Sequence, residues 1–89
     1  MKITVDISMY PLDADYKPAI KAFIRNLRAR EGLTLVTNQL STQINGEFTV
    51  VMQALHDCLQ KSMAEQDKVV FVARYLNADL DISRLPEID

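Results

Sequence analysis

Residues 2 to 10 alternate, with Ile3, Val5, Ile7 and Met9 on one side and Thr4, Asp6, Ser8 and Tyr10 on the other. A period of two with one apolar face predicts a half-buried strand. Pro11 follows, and its missing N–H predicts the end of ladder pairing and a turn. Beyond it, Tyr16, Ile20, Phe23, Ile24 and Leu27 recur at helical spacing and predict a buried stripe. Asp13 or Asp15 can cap this helix, Pro18 falls in its first turn, and Gly32 offers a left-handed C-cap. The helix is expected over about residues 15–31.

Leu33 to Val36 or Thr37 reads as a second strand, Asn38-Gln39-Leu40 as a turn, and Thr42 to Asn45 as a third strand pairing back. Asn45-Gly46 is also a strong hairpin signal, which would make Phe48 to Met52 a strand. Phe48, Val51, Met52, Leu55, Leu59 and Met63 decide against that, because a strand cannot hold this helical spacing on one face. A second helix is therefore expected over about residues 48–65, with Asn45-Gly46 as the corner leading into it. Val69 to Leu76 reads as a fourth strand, apolar on both faces until Arg74. From Asn77 onward periodicity is lost, although Leu80, Ile82, Leu85 and Ile88 can tether a tail. Repeats and low-complexity segments are absent, so residues 1–89 form a single domain with a core of 2–76 and a tail of 77–89.

Strand, helix, strand, strand, helix, strand is the order of an α+β, ferredoxin-like βαββαβ sandwich. Right-handed crossovers then give a four-stranded antiparallel sheet with both helices on one face. The first and third strands become central and the second and fourth become edges. The ends of the first and third strands are neighbours, and a favourable register brings Ser8 and Tyr10 near Thr42. A fourth strand apolar on both faces is a sticky edge in a monomer, and a second copy of the chain is the simplest cover for it.

At 89 residues the chain is near the lower limit for a self-sufficient core, which adds to the expectation of an oligomer. Ten Lys and Arg against twelve Asp and Glu leave a charge of −2, without the basic excess of a nucleic-acid binder. Lys21, Arg25, Arg28 and Arg30 read as a solvated helix face. Cys58 is alone, within an apolar helical pattern, and is expected to be a small core or flank residue rather than half of a disulfide. Asp6 interrupts any N-terminal signal-like hydrophobic run, and no apolar segment approaches the roughly 20 residues that span a bilayer. A cytoplasmic protein that does not insert into membranes is expected. His56 lies one step off the apolar stripe, with no second histidine or cysteine pair to complete a metal site.

Two segments carry the candidate chemistry. Ser8-Met9-Tyr10-Pro11-Leu12 ends the first strand, and Ser41-Thr42-Gln43-Ile44-Asn45-Gly46-Glu47-Phe48 gathers hydroxyls, amides and a carboxylate around the third. With the strand order and helix lengths over residues 2 to 76, these segments resemble the YkoF-like thiamine-binding family, small ferredoxin-like proteins. Ser41 to Phe48 is similar to that family's pattern of Thr, an apolar residue, an acidic or amide residue, Gly and Glu. Asn45 stands where members often carry Glu, and the tail after Leu76 matches no motif.

The resemblance implies a non-catalytic binder of thiamine or its hydroxymethylpyrimidine moiety, acting in salvage, transport or buffering. It implies a homodimer or homotetramer joined through the sheet, and no cofactor is expected. Thiamine needs mixed donors and acceptors for its aminopyrimidine, an apolar wall, and negative potential near its thiazolium cation. Ser8, Ser41 and Thr42 supply hydroxyls, and Asn38 and Asn45 supply amides. Asp6 or Glu47 can accept from the amino group or face the cation, and Tyr10, Phe48 and Tyr75 are candidate walls. Without a ligand the same residues have plainer roles: Asp6 solvated or at an interface, Thr42 and Ser41 in ordinary strand and turn, Glu47 at a helix N-terminus. With no Gly-rich phosphate loop, and Arg74 the sole basic residue near the segments, free thiamine or the pyrimidine alcohol fits better than the diphosphate. The alternatives are a small dimeric monooxygenase- or isomerase-like enzyme, which usually needs a histidine or a reactive polar pair in an apolar pocket and for which His56, the only histidine, sits badly, or a regulatory module whose sheet face binds a partner protein or a different metabolite.

Overall fold

A computed structural model describes residues 1–89 in the order β1 (Lys2–Pro11), α1 (Lys17–Arg28), β2 (Thr34–Thr37), β3 (Thr42–Glu47), α2 (Phe48–Glu65) and β4 (Val69–Leu76). The strands form one antiparallel sheet in the order β2-β3-β1-β4, the ferredoxin-like arrangement with β1 and β3 central. Val5 lies opposite Ile44 on one side and Tyr75 on the other, while Asp6 lies between Gln43 and Arg74. Alternation then separates two faces. Ile3, Val5, Ile7 and Ile44 join Phe23 and Leu27 of α1 and Val51, Ala54, Leu55 and Cys58 of α2 in one buried cluster. Asp6, Ser8, Tyr10, Gln43, Asn45, Val72 and Arg74 occupy the opposite face, which no helix covers.

Pro11 does not end the ladder. It pairs with Val69, and the Leu12 amide donates to the Lys68 carbonyl at 3.0 Å. Successive N–H groups of a strand point to opposite edges, so the Pro11 nitrogen faces away from β4. On that side β3 pairing has already stopped at Ile7, and no ladder bond is lost.

α1 is shorter than its apolar stripe suggests. It begins after Tyr16, and the Asp13 carboxylate accepts the Asp15 amide within the preceding loop rather than capping the helix. Its last turn tightens through Ala29 N–H to Arg25 O and Arg30 N–H to Leu27 O. Gly32 has the expected positive φ, +82°, but uses it beyond the helix end, in the turn into β2. α2 spans the predicted residues, with Val51, Ala54, Leu55, Cys58 and Ser62 at its buried centre. Phe48 and Met63, at the ends of the stripe, are about half exposed, at 45% and 53%.

Asn45-Gly46 is not a corner. Both residues pair within β3, and the chain passes from extended Glu47 directly into α2. The glycine is needed for closeness: a Cβ on Gly46 would lie 2.9 Å from the Gly32 carbonyl oxygen and 3.2 Å from Val51 Cγ2. β4 is an edge strand as expected. Its Phe71 ring packs on Phe23 with centroids 4.9 Å apart, while Val70 and Val72 stand 46% and 54% exposed on the open face.

Because the Gly46 neighbour is backbone, relief must move β3 or the Gly32 turn. Gly46→Ala is expected to lose about 1–3 kcal/mol of stability, the usual cost of overpacking. Urea unfolding of the variant beside the parent measures it, and an unchanged midpoint would refute the close-packing account.

Candidate functional site

A cavity of about 400 Å³ opens where the end of β1, the β2–β3 turn and the first half of α1 meet. Ile7, Met9, Ile20, Phe23 and Ile24 give it apolar walls, and Tyr10 and Tyr16, each about half exposed, stand beside them. Ser8, Thr37, Asn38, Gln39, Ser41 and Thr42 supply polar groups. No Asp, Glu, Lys, Arg or His lines it.

The turn is built by Asn38, whose Oδ1 accepts the amides of Leu40 at 3.0 Å and Ser41 at 3.2 Å. Its own amide donates to the Ser41 carbonyl at 3.0 Å, closing the loop. Ser8 Oγ donates to the Leu40 carbonyl at 3.3 Å, fastening the turn to β1. Thr42 is 4% exposed on the helix-side face, with its hydroxyl 3.1 Å from that of Thr37. One hydrogen serves that contact, so the pair keeps one free hydroxyl proton and spare lone pairs. It can donate to and accept from one bound group.

Behind this wall, on the open face, lies Asp6. Its Oδ1 accepts from Ser41 Oγ at 2.6 Å and Gln43 Nε2 at 3.1 Å. Its Oδ2 accepts from Arg74 Nε at 3.1 Å and Nη2 at 2.8 Å. Gln43 Nε2 also donates to Ser41 Oγ at 2.8 Å. The Ser41 hydrogen bond does most to hold the Asp6 carboxyl below its ordinary 3.8; partial burial opposes it, and Arg74 and Gln43 reinforce it.

Five of the eight expected site residues (Ser8, Tyr10, Asn38, Ser41 and Thr42) are thus brought together around one cavity. Asp6 touches Ser41 but does not line the cavity. Asn45 and Glu47 lie toward the other end of β3, with Glu47 about 17 Å along the strand from Thr42 at the usual rise per residue. Glu47 pairs there with the N-terminal amine at 3.1 Å. Asn45 Nδ2 is shared among Thr4 Oγ1, Asp79 Oδ1 and the Leu80 carbonyl at 3.0–3.2 Å. Thr4 donates to the Ala78 carbonyl and accepts the Leu80 amide, so the tail is anchored by polar groups; Leu85 and Ile88 remain 87% and 90% exposed.

Phe48 and Tyr75 are not walls of this cavity. With Met1, Ile3, Met52, Leu76 and Asn77 they line a separate apolar hollow of about 310 Å³. The aromatic surfaces at the polar cavity, beyond Tyr10, are Tyr16 and Phe23, which the sequence marks as helix stripe. A stripe residue lining a void has the same spacing as one filling a core, so periodicity carries no signal for it. Tyr16, half exposed just ahead of a helix N-terminus and beside Pro18, is the one position where a hint existed. His56, on the exposed side of α2, lies 3.3 Å from Asp57 Oδ1, away from the cavity. Burial raises the Cys58 thiol pKa, in keeping with a core role.

This geometry defines a ferredoxin-like α+β domain with a neutral pocket at the end of its central strand. The chain belongs to the thiamine-binding protein family, whose model matches residues 5–77. A protein of Streptococcus pneumoniae is similar in structure at a TM-score of 0.82 and 26% identity, over 93% of this chain and 94% of that one. A candidate thiamine biosynthesis/salvage protein of Thermotoga maritima is similar at 0.81 and 18% identity, over 93% and 92%. A hypothetical protein of Methanocaldococcus jannaschii is similar at 0.76 and 20% identity, over 88% and 81%. At those lower identities the likeness shows the fold alone. No curated protein matches the chain. No helix is long and apolar enough to cross a membrane.

The depressed Asp6 pKa has a definite sign. Its contribution to stability is full above the unfolded value of 3.8 and is lost as pH falls through the lower folded value. Asp6→Asn is expected to be less stable than the parent at pH 7 and to lose less further stability below about pH 4. Urea denaturation across that range reads both slopes, and parallel acid limbs would show that Asp6 contributes no linkage.

Proposed function

We propose that the cavity between β1, the β2–β3 turn and α1 binds the neutral pyrimidine end of thiamine or free hydroxymethylpyrimidine, without catalysing its conversion. The observation that carries this reading is an uncharged cavity of about 400 Å³, within the range of small-molecule pockets, in a chain of the thiamine-binding family. An aminopyrimidine presents a donor beside ring acceptors, and the Thr37–Thr42 pair offers both polarities on the cavity wall. Asn38 and Ser8 hold the turn that carries Ser41 against it. The thiazolium cation finds no carboxylate lining the cavity, so its place in this reading is toward the half-exposed rings of Tyr10 and Tyr16, as a cation–π contact. A diphosphate finds no cation there.

The role is salvage, transport or buffering of thiamine or its pyrimidine in the cytoplasm. The working form is a homodimer or homotetramer joined through the sheet, for which the exposed Val70 and Val72 are support. His56, the one histidine that an enzyme reading could draw on, lies outside the cavity.

Calorimetric titration with thiamine, hydroxymethylpyrimidine and thiamine diphosphate tests the reading. Thiamine or the alcohol is expected to bind saturably, with the diphosphate no tighter than thiamine. Thr42→Val should weaken binding about tenfold, equivalent to about 1.4 kcal/mol, and Glu47→Gln should leave it unchanged. No heat from any of the three ligands would dismiss the reading, and a tighter diphosphate would dismiss the uncharged site.

A further inference from the structure

We propose that Asp6, clamped by Arg74, is a positioning residue that holds the β2–β3 turn as a fixed wall of the cavity, rather than a ligand contact. The claim rests on the reading of that cavity as the binding site, and it adds a relay running from the edge strand across the open face. Three observations carry it.

The first is saturation. A carboxylate offers about four lone-pair sites. Asp6 receives four donors, two on each oxygen: Ser41 and Gln43 on Oδ1, and both the Nε and Nη2 of Arg74 on Oδ2. It has no acceptor left to give to an aminopyrimidine or a cation.

The second is the orientation of Ser41. A serine hydroxyl has one hydrogen, and here it points to Asp6 at 2.6 Å while Gln43 Nε2 donates to its oxygen from 2.8 Å. The rotamer is held from both sides. Ser41 also carries the carbonyl that receives the Asn38 amide and the amide that Asn38 Oδ1 accepts. Fixing Ser41 therefore fixes the turn, and with it Asn38 and Thr42 on the cavity wall.

The third is direction. Arg74 and Asp6 are Cα partners across β4 and β1, and Asp6 and Gln43 are partners across β1 and β3. The relay follows one cross-strand row. Its far end, the Arg74 side chain, is 82% exposed on an edge strand and lines neither the proposed cavity nor the apolar hollow at the other end of the sheet. Arg74 can be removed without touching any proposed ligand contact, which separates positioning from binding.

Hydrogen exchange and thiamine titration on the parent, Arg74→Ala, Arg74→Lys and Glu47→Gln test the relay together. In Arg74→Ala the amides of Asn38, Leu40 and Ser41 are expected to exchange about tenfold faster, with α2 amides at parent rates and thiamine affinity down three- to tenfold. Arg74→Lys, which keeps the charge but not the planar two-nitrogen fork, should fall between parent and alanine variant, and Glu47→Gln should match the parent. Parent exchange rates at the turn in Arg74→Ala would overturn the relay even if thiamine binds well. Faster exchange spread equally through α2 would also overturn it, because that is global destabilisation. If the parent binds neither thiamine nor hydroxymethylpyrimidine, the ligand reading fails alone; the turn amides still decide the relay, local acceleration upholding it and unchanged rates removing it.

Discussion

The pairing of β1 on both sides is the constraint on which the rest depends. With β3 and β4 hydrogen-bonded to its two edges, β1 cannot rotate, and its alternation assigns every side chain to a face. The ladder that buries Val5 among Ile44 and the helices is the one that sets Asp6 between Gln43 and Arg74. A slip of one residue would exchange the apolar and polar sets together, so core and candidate site are specified by one register. Gly46 pins that register at the other end of the pair. It lies opposite Ile3, where the Gly32 carbonyl and Val51 leave no room for a Cβ.

Charge is distributed in the same economical way. Ionised groups are costly to desolvate, and none lines the cavity. Asp6 meets Arg74 on the open face, and Asp57 of α2 meets Arg30, just beyond the end of α1, at 2.6 Å. What remains at the wall is hydroxyl, amide and aromatic surface, groups that hydrogen-bond in either sense or stack. Such a wall discriminates by pattern and shape rather than by net charge, which suits the neutral end of a ligand better than an ionic one.

The fold was legible in the sequence because its signals are periodic. The alternation through Met9 and the stripe from Val51 to Leu59 define β1 and α2 closely, and the connection order leaves few topologies open. Where local chemistry has rival uses, the sequence does not choose between them. Asn45-Gly46 looks like a turn because both residues suit one, yet here the glycine answers to a carbonyl contributed from Gly32, distant in sequence. Asp13 has the chemistry of a cap but spends its carboxylate on Asp15. For the site, the two segments named Ser8, Tyr10, Asn38, Ser41 and Thr42, which the topology does gather. Periodicity says which face a residue takes but not which end of the sheet it reaches. Phe48 and Tyr75 were therefore grouped with a cavity about one strand length away, and the α1 side of that cavity went unseen.

The tail divides the open face. Thr4, only 7% exposed although it points away from the helices, lies under the backbone of Ala78 and Leu80, and Asn45 ties the same segment down. Polar bonds from Thr4 and Asn45 to three consecutive tail residues, Ala78, Asp79 and Leu80, do here what the exposed Leu85 and Ile88 do not. The rows left uncovered hold Asp6 with Arg74, Ser8 with Val72, and Tyr10 with Val70. They combine two exposed valines with the relay to the cavity turn. A second copy joined through the sheet would be directed by the tail to those rows, where it would meet Arg74 and Val72 together with Ser8 and Tyr10 at the edge of the cavity. Assembly and cavity shape would then share one strip of β1 and β4, so that burying Arg74 in an interface strengthens its grip on Asp6 by removing the water that competes for both.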